Sequence, residues 1–255
     1  MFDFKGQYAV ITGASSGLGR DMAIAFAQAG ANVAVLARRK EKLEALAQEI
    51  EALGVRAIAV ACDVADDASV KAAVESITKE FPRIDILVNN AGIAVRGTID
   101  TMTDEEWDRS FDVNVKGIVH TGRYIVPIMK KQSYGRIVNI SSVNALVSDK
   151  NDPFLRHSYN ASKASVWGLT RAMAASYAKD NISVNAIGPG LFASEMTQDT
   201  LLASEEFVGY YNHLTPAGRI GDKGELNGAV LFLSSKEAAY VHGNMIFVDG
   251  GIRLV

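Results

Sequence analysis

The stretch Tyr8-Ala9-Val10-Ile11-Thr12-Gly13-Ala14-Ser15-Ser16-Gly17-Leu18-Gly19 decides how this chain folds. A short run of strand character enters a glycine-rich turn, and a segment of helical spacing, Gly19 to Ala29, follows at once. The glycines allow a tight turn and let backbone N–H groups approach a pyrophosphate at the positive end of a helix. A glycine turn between strand and helix is the context a dinucleotide-binding fingerprint requires. The spacing here is Gly13-x3-Gly17-x-Gly19 rather than the commoner Gly-x-Gly-x2-Gly, and no Gly-Lys-Ser/Thr follows as a nucleoside triphosphatase would need.

Outward from this turn, apolar runs of strand length alternate with longer helical segments. Tyr8 to Ile11, Asn32 to Leu36, Ala57 to Ala61, Ile84 to Val88, Arg136 to Ile140, Ile182 to Ala186 and Met245 to Val248 read as strands. They are nearly continuous in Val, Ile and Ala, as expected of parallel strands covered on both faces. Between them Gly19 to Ala29, Lys40 to Leu53, Ala68 to Phe81, Asp104 to Lys131, Tyr159 to Lys179 and Gly224 to Ser234 read as helices. The expected fold class is α/β: a single-domain, Rossmann-type, doubly wound parallel sheet with helices on both faces. No linker or repeat divides residues 1–255, so one domain is expected, including a substrate loop at about 191–215.

Composition narrows the function. The net charge of −3, without blocks of like charge, gives no sign of nucleic acid or an anionic membrane as partner. No apolar run reaches the roughly 18 to 20 residues of a membrane span. Met1 to Gly6 does not read as a secretory signal, which points to a cytoplasmic protein. Cys62 is the only cysteine and ends an apolar run, so it reads as a buried inert thiol. None of the four histidines has a metal-site spacing, and no metal is expected.

Two further clues concern chemistry. An NAD-binding fold places an Asp or Glu about 20 residues beyond the glycine turn to hold the ribose. Here that position is Ala37, followed by Arg38 and Arg39, which favours NADP over NAD, because guanidiniums suit a 2′-phosphate. The second clue is Tyr159-Asn160-Ala161-Ser162-Lys163, whose spacing stacks a phenol and an ammonium on one helix face. A nearby ammonium would lower the phenol's pKa towards working pH and make a general acid/base for a carbonyl or alcohol oxygen. Ser142 follows a strand at its C-terminal end, where ligands bind in open α/β sheets. No Gly-x-Ser-x-Gly hydrolase elbow competes.

With these motifs in place, the chain resembles the short-chain dehydrogenase/reductase family along essentially its whole length. The resemblance rests on Thr12-Gly13-x3-Gly17-x-Gly19, Asp63-Val64, Asn89-Asn90-Ala91-Gly92, Asn114, Ile140-Ser141-Ser142, Tyr159-x3-Lys163 and Pro189-Gly190, in matching order and separation. It implies a nicotinamide cofactor, a small-molecule alcohol or ketone substrate, and a homotetramer. Tyr159 would be the acid/base, Ser142 would polarise the substrate oxygen, and Lys163 would tune Tyr159 and hold the nicotinamide ribose. Asn114 would support a proton relay behind Lys163. Ser15, Ser16 and Leu18 lie in the phosphate turn, Asp63 and Val64 would touch adenine, and Asn90 the adenosine-side ribose. Pro189, Gly190, Phe192 and Ser194 would meet the nicotinamide.

Two departures from the family pattern bear on substrate. The stretch from Ser142 to Tyr159 is longer than usual, through the polar residues Ser148 to His157, and a longer loop beside the catalytic pair shapes the substrate site. Ser194 stands where a threonine is common, and retains the hydroxyl. Arg96, Arg156 and His157 are candidate substrate residues and favour a polyol or sugar acid, since arginine grips carboxylates bidentately. The wording around Pro189 to Met196 and Thr215 to Arg219 is also similar to gluconate 5-dehydrogenase-type members. Against this, Leu191, Phe192, Met196, Leu201, Leu202, Phe207, Tyr210 and Tyr211 form an apolar segment suited to a hydroxysteroid, acyl thioester or bulky ketone. A family member that only binds nucleotide is the remaining, non-catalytic alternative.

Overall fold

A computed structural model describes residues 2–150, 154–198 and 201–255, with nothing described of the Met196 side chain. Seven parallel strands form one sheet: β1 Tyr8–Thr12, β2 Asn32–Ala37, β3 Ala57–Ala61, β4 Ile86–Asn89, β5 Gly135–Ile140, β6 Ile182–Pro189 and β7 Met245–Val248. Their spatial order is β3-β2-β1-β4-β5-β6-β7, so the winding reverses between β1 and β4. That reversal leaves a crevice at the C-terminal strand ends, the place where open α/β sheets bind ligands.

The apolar runs hide an alternation that the structure separates. Ala9, Ile11, Val33, Val35 and Val88 enter one core with Met22, Phe26, Leu43 and Val230. Their neighbours Val10, Ala34, Leu36 and Leu87 enter the other, with Val70, Ile77, Ile125 and Val166. Successive strand side chains point to opposite faces, so a strand covered on both sides needs apolar residues at every position. The covering helices are α1 Gly17–Gln28, α2 Lys40–Glu51, α3 Asp67–Glu80, α4 Asp104–Phe111, α5 Gly117–Gln132 and α6 His157–Tyr177. They are joined by α7 Glu195–Gln198, α8 Glu205–Leu214 and α9 Asn227–Ser234.

The expected continuous helix from Asp104 to Lys131 is instead α4 and α5 joined through a π-helical turn, Asp112–Lys116. Thr103 and Glu106 start α4 with a capping box. The π turn holds Asn114, and such turns recur where a functional side chain must be displaced from the regular helical ladder. The segment read as an apolar loop contains α7 and α8, the latter capped by Ser204, which accepts from Phe207 N. No helix among the described residues is long and apolar enough to cross a membrane.

Candidate active site

A cavity of about 760 Å³ opens at the crevice. All the residues expected to hold a dinucleotide line it: Gly13 to Gly19 except Ala14, Arg38, Arg39, Asp63, Val64, Asn90, Pro189, Gly190, Phe192 and Ser194, together with Tyr159 and Lys163. At its floor β1 delivers Thr12, whose hydroxyl accepts from the N–H groups of Asn90 and Ala91, both at 3.0 Å. The Asn90 amide donates to the carbonyls of Thr12 and Gly13, so it pins the turn as well as lining the cavity. Gly13 has φ +67°, and a Cβ there would lie 2.8 Å from Ala91 Cα. A Cβ on Gly19 would collide with the Asn90 amide and the Gly13 carbonyl. The turn is therefore glycine by packing as well as by conformation.

These residues fit a phosphorylated dinucleotide. Ser16 precedes α1 without capping it, so the first N–H groups of that helix face the cavity without a side-chain acceptor from the cap. β2 ends at Ala37, and no carboxylate follows it. Arg38 is exposed, lines the cavity, and makes no hydrogen bond or ion pair among the described residues. Arg39 reaches Ser15 Oγ at 2.9 Å and Ser16 Oγ at 3.2 Å. A guanidinium and two hydroxyls thus converge beside the turn, a donor set suited to a phosphate. Asp63 spends Oδ1 on Ala65 N. Cys62 also lines the cavity, but burial pushes its thiol up to about 11, which keeps it unreactive.

The catalytic candidates meet at the other end of the cavity. Ser142 leaves β5, and α6 carries Tyr159 and Lys163 on the face turned to it; all three are buried. Lys163 Nζ donates to the Ile140 carbonyl at 2.9 Å and stands 5.7 Å from the Tyr159 ring centre. Asn114 Nδ2 donates to Ser162 Oγ and to Ile93 O, both at 2.9 Å, and its Oδ1 accepts from Ile93 N at 2.8 Å. A Cβ added to Gly92 would lie 3.2 Å from Asn114 Oδ1 and 3.3 Å from Lys163 Nζ, so these two atoms flank one small gap.

The charge balance differs from the expectation that Lys163 alone lowers Tyr159. Burial holds the Tyr159 phenol above its ordinary value, opposed by the Ser142 hydroxyl and the Arg156 guanidinium. Burial also drives Lys163 from 10.5 down to about 8. For both groups burial is the largest influence, because it disfavours the charged form of Lys163 and of the phenol alike. The phenol is held protonated near neutral pH, as a proton donor must be.

Around Tyr159 the longer loop supplies a polar circuit. Arg156 lies over the Tyr159 ring, 5.3 Å from its centre, and donates to Asp149 Oδ2 at 2.6 Å. Asp149 in turn accepts from Asn144 Nδ2 at 3.5 Å, and Asn144 Oδ1 accepts from Ser142 Oγ at 3.3 Å. The buried Nε of Arg156 has no hydrogen-bond partner among the described residues. His157 serves the scaffold: its Nδ1 accepts from Ile99 N and its N–H donates to Gly97 O, tying residues 97–99 to the start of α6. Arg96 is exposed, and none of Arg96, Arg156 and His157 lines the cavity. Phe192 is 5% exposed, packs in a core cluster and lines the cavity. Met196, the remaining substrate candidate, has its side chain outside the described residues, as do Asn151, Asp152 and Pro153 of the longer loop.

Four site residues escaped the sequence reading: Asn144, Asp149, Glu195 and Arg109, the last of which reaches the cavity from α4. Asn144 carried a faint signal, a polar residue two positions after Ser142 in a turn-prone segment. Arg109 and Glu195 carried none, since only the fold brings them to the cavity.

The comparisons agree with this geometry. The short chain dehydrogenase family model matches residues 7–204. The chain is 37% identical over 254 residues to gluconate 5-dehydrogenase of Gluconobacter oxydans, covering all of this chain and 97% of that protein. It is 40% identical over 247 residues to a 3-oxoacyl-[acyl-carrier-protein] reductase of Staphylococcus aureus, covering 96% and 98%. Among solved structures, gluconate 5-dehydrogenase from Burkholderia cenocepacia, in complex with NADP and tartrate, superposes with a TM-score of 0.94 at 35% identity, covering 100% and 98%. The chain therefore belongs to the short-chain dehydrogenase family of oxidoreductases that act on CH–OH groups.

Proposed function

We propose that residues 1–255 form one catalytic unit that interconverts a secondary alcohol and a ketone with NADP(H), and that the substrate is a polyol or sugar acid. The cofactor reading is supported by Arg38 and Arg39 after β2, by Ala37 rather than an Asp or Glu at the strand's last position, and by the NADP bound by the Burkholderia relative. Bound nicotinamide supplies or accepts the hydride. The chain's own work is proton transfer and positioning. Tyr159 donates to the substrate oxygen in reduction and accepts from it in oxidation. Ser142 hydrogen-bonds that oxygen, and Lys163 and Asn114 hold the proton path behind Tyr159.

One observation carries the substrate class: the Arg156 guanidinium lies over the ring of Tyr159, 5.3 Å from its centre. A carboxylated or polyhydroxylated substrate at Tyr159 gains from the positive charge of that guanidinium, whereas an apolar ketone does not. The apolar segment favours the same reading, since Leu191, Leu201 and Phe207 bury one another with Phe154 and Tyr211. The rings of Phe154 and Phe207 are 4.1 Å apart, so that surface is consumed in packing. The second reading, a 3-oxoacyl or other bulky ketone reductase, is supported by the 40% identical Staphylococcus relative. The proposed enzyme works in the cytoplasm and is, as the family resemblance implies, a homotetramer; light scattering on the purified protein tests the assembly.

Turnover with NADP and NAD against gluconate, polyols, hydroxysteroids and β-hydroxyacyl thioesters separates the readings. Saturable activity with a sugar acid is expected, and Arg156→Leu is expected to raise KM for that acid more than for an uncharged polyol. Activity confined to bulky apolar alcohols would overturn the substrate assignment.

A further inference from the structure

Arg39 Nη2 faces more acceptors than it has hydrogens. That nitrogen carries two hydrogens, yet it lies 2.9 Å from Ser15 Oγ, 3.2 Å from Ser16 Oγ and 2.6 Å from Glu195 Oε2. The other carboxylate oxygen of Glu195 is held by Lys42. Glu195 comes from α7, just past the Pro189–Ser194 segment at the nicotinamide end, whereas Arg39 and the two serines belong to the adenosine end. The two ends touch: a Cβ on Gly17 would lie 3.0 Å from Ser194 Cβ. Arg39 and Lys42 hold the Glu195 carboxyl down to about 2, so it is fully ionised at any working pH.

We propose that Glu195 is a specificity-determining residue that competes with the 2′-phosphate of NADP for Arg39 and so sets how strongly the phosphorylated cofactor is preferred over NAD. A 2′-phosphate needs the same donors and carries up to two negative charges, and one cannot share Arg39 with a carboxylate at 2.6 Å without repulsion. A ribose bearing a free 2′-hydroxyl leaves the Arg39–Glu195 pair intact. The phosphorylated cofactor therefore binds at the expense of this pair, and the unphosphorylated one does not. This inference rests on the NADP reading above.

The test measures binding of 2′,5′-ADP and 5′-AMP by calorimetry, which needs neither substrate nor turnover. Wild type is expected to bind 2′,5′-ADP more tightly. Glu195→Gln is expected to tighten 2′,5′-ADP about fivefold, the upper range for an exposed ion pair. The same variant is expected to leave 5′-AMP within about twofold, as for an ordinary surface substitution. In an Arg39→Ala background the gain is expected to disappear, because the two residues act through one contact. Wild-type preference for 2′,5′-ADP with no gain in Glu195→Gln would overturn this inference and leave the cofactor reading standing. Equal gains for both ligands would also overturn it, as general electrostatics. No wild-type preference would overturn the NADP reading and this inference together.

Discussion

Replacing Lys163 by methionine separates the energetic cost of the site from its chemistry. The ammonium is 4% exposed, and burial lowers its pKa from 10.5 to about 8. At about 1.4 kcal/mol per unit, holding it charged in the folded protein costs about 3 kcal/mol. The cost is fully present below the folded pKa. As pH rises from there to the unfolded value, the unfolded chain binds more protons than the folded one, so stability rises across that window. Methionine carries no charge and has no such dependence, although it withdraws a donor from the Ile140 carbonyl at a fixed cost of about 1 kcal/mol. Urea unfolding of both proteins is therefore expected to show Lys163→Met at its greatest relative stability near pH 7, with the advantage shrinking by about 2 kcal/mol near pH 10. Fixed losses cancel in that difference. Parallel stability curves for the two proteins over this range would refute the reasoning, and turnover is expected to fall at least about 100-fold in the variant at every pH.

Arg39→Ala is expected to weaken NADPH far more than NADH, and Arg38→Ala to do so less, since Arg39 alone is already tied to the turn serines; fluorescence titration with both cofactors checks this, and equal losses would remove the basis of the cofactor assignment. Gly19→Ala drives a methyl into the Asn90 amide and the Gly13 carbonyl, so cofactor binding is expected to be lost and the melting temperature to fall, with a cost of about 1–3 kcal/mol for overpacking. Asp149→Asn frees Arg156 from its ion partner beside Tyr159, and is expected to change KM for a carboxylated substrate while leaving cofactor affinity unaltered, read from initial rates and a binding titration.

The seven strands, their parallel character and the phosphate turn were legible because their causes are local. Continuous β-branched runs record burial on both faces, and Gly13 and Gly19 record close backbone contacts. Tyr159 and Lys163 were legible because one helix carries both. The π turn at Asp112–Lys116 was not, since a one-residue widening of a helix leaves the apolar pattern almost unchanged. Nor was the direction of the Tyr159 shift, because spacing reports the neighbouring ammonium but says nothing of how much water burial removes. Arg156 and His157 looked alike as adjacent polar residues, and only the fold turned the first over Tyr159 and the second onto residues 97–99. Glu195 lies 156 positions from Arg39, a pairing that no periodicity announces.

In the proposed reaction Tyr159 moves the proton while hydride passes between substrate carbon and nicotinamide. The most direct measurement follows NADPH absorbance with gluconate as substrate in wild type and in Tyr159→Phe, alongside the affinity of each for NADPH. Wild type is expected to form NADPH saturably, and the variant to lose at least about 1,000-fold in turnover with cofactor affinity nearly unchanged. Undiminished turnover in Tyr159→Phe would contradict the proposed reaction.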